Sequence, residues 1–147
     1  MDPDFAYEWF QYADTDLLSA EHLLTLHPRP FELICYLSEQ SAEKFLKGYL
    51  VHKGMEQPPK IHELNRLCAL CLQYDERFAE IEKQCNVLTD YGVQPRYPHE
   101  MLIEEHHMEQ ALDYNRQIRD FEPIQAAKRE IEQELEKNLE SKSEQGT

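Results

Sequence analysis

Apolar residues recur at steps of three and four along most of this chain, in blocks that prolines and glycines separate. Trp9, Ala13, Leu17, Ala20 and Leu24 put one stripe on a helix running from Phe5 to about Leu26, which His27-Pro28-Arg29-Pro30 closes. The next block, Phe31 to Lys53, carries Ile34, Cys35, Leu37, Ala42, Phe45 and Tyr49. These positions give apolar surface on more than one side, so this helix is expected at the centre, with Gly54 suited to its C-terminal cap. Gln57-Pro58-Pro59-Lys60 makes a stiff connector. After it Leu64, Leu67, Cys68 and Cys71 mark a third helix, and Phe78, Ile81, Cys85 and Leu88 a fourth.

The stretch Gly92 to Pro98, with one glycine and two prolines, predicts a loop or a sharp break. A fifth helix is expected to restart near His99, with Ile103, His107, Ala111, Tyr114, Ile118 and Phe121 in step. Glu122-Pro123 interrupts it, and Ile124, Ile131, Leu135 and Leu139 form a thinner stripe beyond. That stripe is too narrow for a core of its own, so the tail helix either docks on the bundle or pairs with another chain. The last seven residues, SKSEQGT, are expected to fray. No alternating strand pattern appears. The expected fold is all-α, an up-and-down antiparallel bundle of four to five helices over residues 1–121 with an acidic C-terminal helical tail over 122–147.

At 147 residues the chain has room for one domain and a tail. No stretch approaches the ~20 apolar residues of a membrane-spanning helix, and MDPDFAYEW lacks the pattern of a secretion signal, so a cytoplasmic protein is expected, with no membrane partner. Cys35, Cys68, Cys71 and Cys85 all fall inside apolar helical patterns and read as reduced core thiols. Cys68-x-x-Cys71 has no second ligand pair to complete a zinc site, and the adjacent His106 and His107 point about 100° apart on a helix, so no metal and no cofactor are expected.

Fifteen basic against 29 acidic residues give a formal charge of −14, which argues against broad nonspecific binding to nucleic acid or an anionic membrane. Any phosphate contact must be local. The one counter-trend is Lys44 to Arg66, where Lys44, Lys47, Lys53, Lys60 and Arg66 outnumber Glu56 and Glu63.

Three short motifs narrow the reading. Ser41 to Leu50, SAEKFLKGYL, sets Glu43 four residues before Lys47, the favoured order for an ion pair on one helix face. Ile61-His62-Glu63-Leu64 follows, and Arg96-Tyr97-Pro98 comes later. This layout resembles the HEPN domain family, whose second helix carries a Glu-Lys-x-Leu-Lys core, whose third is entered through His-x-Leu and whose fourth runs into an Arg-Tyr-Pro turn. The resemblance covers roughly Phe5 to Arg119.

Catalytic members of that family resemble metal-independent ribonucleases, with an Arg and a His four to six residues apart. Such a pair can steady a charged phosphorane and move protons near neutral pH. Here Arg96 and His99 stand three apart, and His106 lies ten beyond Arg96. The resemblance therefore implies a noncatalytic module, a homodimer, that binds a nucleotide or nucleic-acid end and a small nucleotidyltransferase as partner, in the manner of toxin-antitoxin-like pairs. The candidate ligand-binding residues are Arg96, Tyr97, Tyr91, Lys47 and Lys44, and the candidate catalytic residues are Arg96 and His99. Arg96 can grip a phosphate or instead pair with Asp16 or Glu43 and pin its loop. The alternatives are a toxin-type endoribonuclease using Arg96 and His99, and a protein–protein adaptor without nucleotide binding.

Overall fold

A computed structural model of the protein describes residues 2–92 and 102–145, and all regular structure in them is helical. Helix α1 (Pro3–His22) starts where Asp2 accepts from the backbone N–H of Asp4 (3.0 Å) and Phe5 (3.4 Å), with Pro3 in the first turn, where a missing N–H costs nothing. A 3-10 turn, Leu23–Thr25, leads out of it. Helix α2 (Phe31–His52) ends in a Schellman motif: the Gly54 N–H donates to the Val51 carbonyl and the Met55 N–H to that of Leu50. Gly54 takes φ +118°, a conformation that only glycine adopts without strain.

Helix α3 (Leu64–Leu72) follows the proline connector, and a 3-10 stretch, Glu76–Ile81, feeds α4 (Glu82–Thr89). Phe78 and Ile81 thus belong to the 3-10 stretch, which Asp75 caps through the Arg77 N–H (3.0 Å), and the fourth α-helix is shorter than its apolar pattern. Helix α5 (Glu105–Asp120) begins later than a restart near His99 would place it. Leu102 to Glu104 are not helical; the Glu104 N–H donates to Nδ1 of His107 (2.9 Å), closing a capping box with histidine in the place usually held by Glu or Gln. Phe121, with ψ 129°, alone separates α5 from α6 (Glu122–Gln145).

Helices α1 and α2 are antiparallel and pack along their whole length. The Ser41 hydroxyl donates to the Ala13 carbonyl (2.7 Å) deep in their interface. On its other sides α2 meets α3, α5 and α6, so it is the central helix. Asn115 of α5 donates to the Ser38 carbonyl (2.8 Å). Around the C-terminal half of α2 the core is aromatic, with Phe10 against Phe45 (centroids 6.1 Å) and, one turn on, Phe78 between Tyr49 (4.6 Å) and Phe121 (5.1 Å). Pairs in such tilted and edge-on arrangements are worth ~1 kcal/mol each beyond burial. The first half of α6 docks on the bundle through Ile124, Ala127 and Ile131 and through the pairs Lys128–Asp14 (2.9 Å) and His52–Glu130 (2.6 Å).

All four cysteines are buried and free. Burial pushes the Cys35 thiol up to about 12, so it stays protonated. No described helix is long and apolar enough to cross a membrane.

The close approach of α1 and α2 depends on Gly48, where a Cβ would stand 3.1 Å from the Phe10 ring and 3.2 Å from Cβ of Trp9. Alanine would gain up to ~1 kcal/mol of helix propensity there, but the Trp9 contact is fixed to the α1 backbone, and overpacking costs ~1–3 kcal/mol. Gly48→Ala is therefore expected to lower stability by ~1 kcal/mol net; a urea melt showing equal or higher stability would mean that α1 yields freely.

Candidate functional site

Glu39, Glu43 and Lys47 follow one another at intervals of one helical turn along α2. All three are buried. Glu43 and Lys47 keep only 6% and 7% of their side-chain surface exposed, and the Lys47 Nζ lies 3.9 Å from Glu43 Oε1 and 5.7 Å from the centroid of the Trp9 ring. Removing one partner of such a pair strands a buried charge at a cost of ~3–5 kcal/mol. Glu43 Oε1 also meets Nδ1 of His62 at 2.9 Å. His62 is 75% exposed, so a buried carboxylate holds a surface imidazole by one nitrogen. In the neutral ring Nδ1–H then donates to Glu43 and leaves the Nε2 lone pair for the outside.

One turn earlier, Glu39 is fully buried. Gln40 donates to its Oε2 (2.7 Å), and its Oε1 has no partner among the described residues. The carboxyl group sits so close to Gly92 that a Cβ there would stand 3.2 Å from it. Burial, the leading cause, pushes the Glu39 carboxyl up to about 8, against the opposing effect of the Gln40 hydrogen bond.

Of the candidate ligand-binding residues, Lys47 lies inside the α1–α2 interface, and Lys44 pairs with Asp16 of α1. Tyr91 is buried at the end of the α4 segment, with its phenol pushed up to about 12 by burial. Arg96, Tyr97 and His99 lie outside the described residues. The two acids considered as partners for Arg96 are both engaged, Asp16 with Lys44 and Glu43 with Lys47 and His62. His106 and His107 stack with centroids 4.0 Å apart, yet His107 caps α5 and His106 faces Glu104 (3.4 Å). Among the described residues no group of three or more His, Cys, Asp or Glu gathers to hold a metal.

The exposed positive charge of the 44–66 stretch is thus carried by Lys53, Lys60 and Arg66, with His62 between the last two. Lys53 lies 5.5 Å from the Tyr49 ring centroid, and Arg66 is loosely paired with Glu63 at 3.7 Å. A phosphate or carboxylate oxygen finds a donor at Nε2 only when the ring carries a proton on both nitrogens, whereas Lys60 and Arg66, near it in sequence, are donors in either case. Sequence reasoning had not picked out Glu39; its signal was present as the first member of the Glu39, Glu43, Lys47 series.

Because the folded protein holds the Glu39 proton more tightly than the unfolded chain, Glu39 favours folding fully below the ordinary carboxylate range. That contribution is lost as pH rises toward 8. At ~1.4 kcal/mol per pH unit this amounts to a few kcal/mol at most. Glu39→Gln is expected to flatten the fall in stability between pH 5 and 8, and chemical melts across that range that stay parallel to those of the natural protein would refute the assignment.

Comparison with known proteins agrees with this architecture. The solved structure of TT1696 from Thermus thermophilus superimposes with a TM-score of 0.69 at 22% identity, covering 83% of this chain and 97% of that one, a likeness of fold. No curated protein matches the chain significantly. The model of the HEPN domain matches residues 6–137, running through the Glu43–Lys47 pair and His62 and on into α6. On that match, which spans most of its length, the chain belongs to the HEPN domain family.

Proposed function

We propose that this chain is a noncatalytic HEPN module that acts as a homodimer in the cytoplasm, binding a nucleotide or nucleic-acid end and docking a small nucleotidyltransferase. The observation that carries this reading is His62, held by the buried Glu43 and flanked by the exposed Lys60 and Arg66. In a chain of net charge −14 the stretch from Lys60 to Arg66 sets two exposed cations against one carboxylate, Glu63, a local excess of positive charge that suits an acidic partner or the phosphates of the substrate that partner holds. The chain itself lacks the machinery of nucleotidyl transfer, since no Gly-Ser followed by paired aspartates occurs in it. It supplies a docking surface instead.

The noncatalytic part of the reading rests on spacing. Arg96 and His99 stand closer in sequence than the Arg and His of the active ribonucleases, and His106 and His107 are engaged at the start of α5. Purified protein is expected to leave RNA uncut in the presence of a chelator. Cleavage giving cyclic-phosphate ends, and lost in both Arg96→Ala and His99→Ala proteins, would promote the toxin-type endoribonuclease instead.

The docking surface is tested by Lys60→Glu combined with Arg66→Glu, exposed positions whose change leaves the core intact; Lys47 is unsuited to this because it is buried. A pull-down from the source cell at low salt is expected to recover a nucleotidyltransferase with the natural chain and at least ~10-fold less with the double variant, a loss of ~1.4 kcal/mol. Recovery should also fall as salt rises. Equal recovery by both proteins would remove this surface from the proposal. Recovery of no nucleotidyltransferase, with no rise in melting temperature on adding nucleotides or short RNAs, would leave the adaptor reading.

A further inference from the structure

We infer that a phosphate group bound beside His62 draws a proton onto that ring, so that the surface from Lys60 to Arg66 takes phosphates more tightly as the pH falls. The inference rests on the nucleotide-binding reading above and goes beyond it by naming the residue that regulates the binding and the proton it exchanges. The geometry decides which nitrogen meets the ligand. Nδ1 of His62 stands 2.9 Å from Glu43 Oε1, and the carboxylate keeps 6% of its side-chain surface exposed against 75% for the imidazole. The ring is therefore gripped from the inside and turns its Nε2 edge outward. An ionised carboxylate only accepts, so the hydrogen of the neutral ring stays on Nδ1 and Nε2 sets a lone pair against any phosphate oxygen. One more proton makes Nε2 a charge-assisted donor.

The charges around the ring fix the sign of the effect. From α2, Glu43 faces His62 while sharing the same oxygen with Lys47 at 3.9 Å, a buried pair that is neutral as a whole. Trp9 of α1, which lies against Lys47, adds no charge. At the entry to α3, Glu63 accepts from the His62 backbone N–H (3.3 Å) and is loosely paired with Arg66 at 3.7 Å. Hydrogen bonds from its own backbone N–H and from that of His62 hold the Glu63 carboxyl below its usual range, so it stays ionised while a histidine titrates. With the two pairs cancelling, Lys60 supplies the net charge of this group, and protonating His62 doubles it. The charged ring then has Glu43 on its inner side and the ligand on its outer side. Phosphate fits this edge better than a partner's carboxylate, because its oxygens diverge and accept from Nε2 and from a neighbouring cation together.

The test uses full-length protein and a labelled oligouridylate with hydroxyl ends, whose phosphodiesters and bases keep their charge between pH 6 and pH 8. Fluorescence anisotropy in moderate salt, which screens the charge of the remaining surface, is expected to show binding at least ~5-fold tighter at pH 6 than at pH 8. Calorimetry at pH 7 in two buffers of different ionisation enthalpy is expected to read a net uptake of protons on binding. His62→Asn keeps an N–H for Glu43 and removes Nε2 from an exposed position, so its helical circular dichroism should be unchanged. It is expected to change affinity by no more than ~2-fold over the same range and to take up no proton, the other six histidines being common to both proteins. His62→Gln replaces it should the asparagine variant lose helix. If both proteins bind the probe with the same pH dependence, His62 is not the gate, while the basic surface stands. If the natural chain binds at neither pH, the phosphate reading of that surface falls and this inference with it.

Discussion

Helix α2 is buried over most of its surface although its sequence carries ionisable groups through the middle. Fifteen of its 22 residues are buried, Glu39, Glu43, Lys47 and His52 among them. A helix surrounded by protein is ordinarily apolar all round, because an unpaired interior charge costs several kcal/mol. Helix α2 can occupy the centre because most of its ionisable groups find partners, Lys47 four residues after Glu43, Glu130 of α6 against His52 and Asp16 of α1 against Lys44, while burial keeps the proton on Glu39. The other elements depend on this arrangement. Helix α1 lies over Lys47 through Trp9, and the entry to α3 is tied to the Glu43 carboxylate through His62.

The same pairing explains which parts of the fold were legible in the sequence. Steps of three and four placed the helices, and the spread of apolar residues over Phe31 to Lys53 marked the central one. Gly54 was readable as its cap because a positive φ leaves few other choices. The start of α5 was hidden, since His107 is not a residue type expected to complete a capping box. The division between the 3-10 stretch and α4 was hidden too, because both geometries keep Phe78, Ile81, Cys85 and Leu88 roughly in step.

The site was legible by composition and misleading by depth. Glu43 and Lys47 look in sequence like an exposed pair, and nothing local reveals that Trp9 and His62, from distant parts of the chain, cover them. Lys44 and Lys47 therefore serve the interior, and the outward positive charge passes to Lys53, Lys60 and Arg66. Burial of this kind depends on which helix lies across which, and a single stretch of sequence does not carry that information.

Helix α6 gives one more consequence. Beyond Leu135 it stands clear of the bundle from Glu136 to Gln145, a rod of ~15 Å at 1.5 Å per residue. Glu132, Glu136, Glu140 and Glu144 follow at every fourth position, so one edge of the rod is a ridge of like charge. Like charges four residues apart weaken a helix by a few tenths of a kcal/mol each wherever they are not offset, so the outer half of α6 draws its helical order from the docked half and from the ionic strength around it.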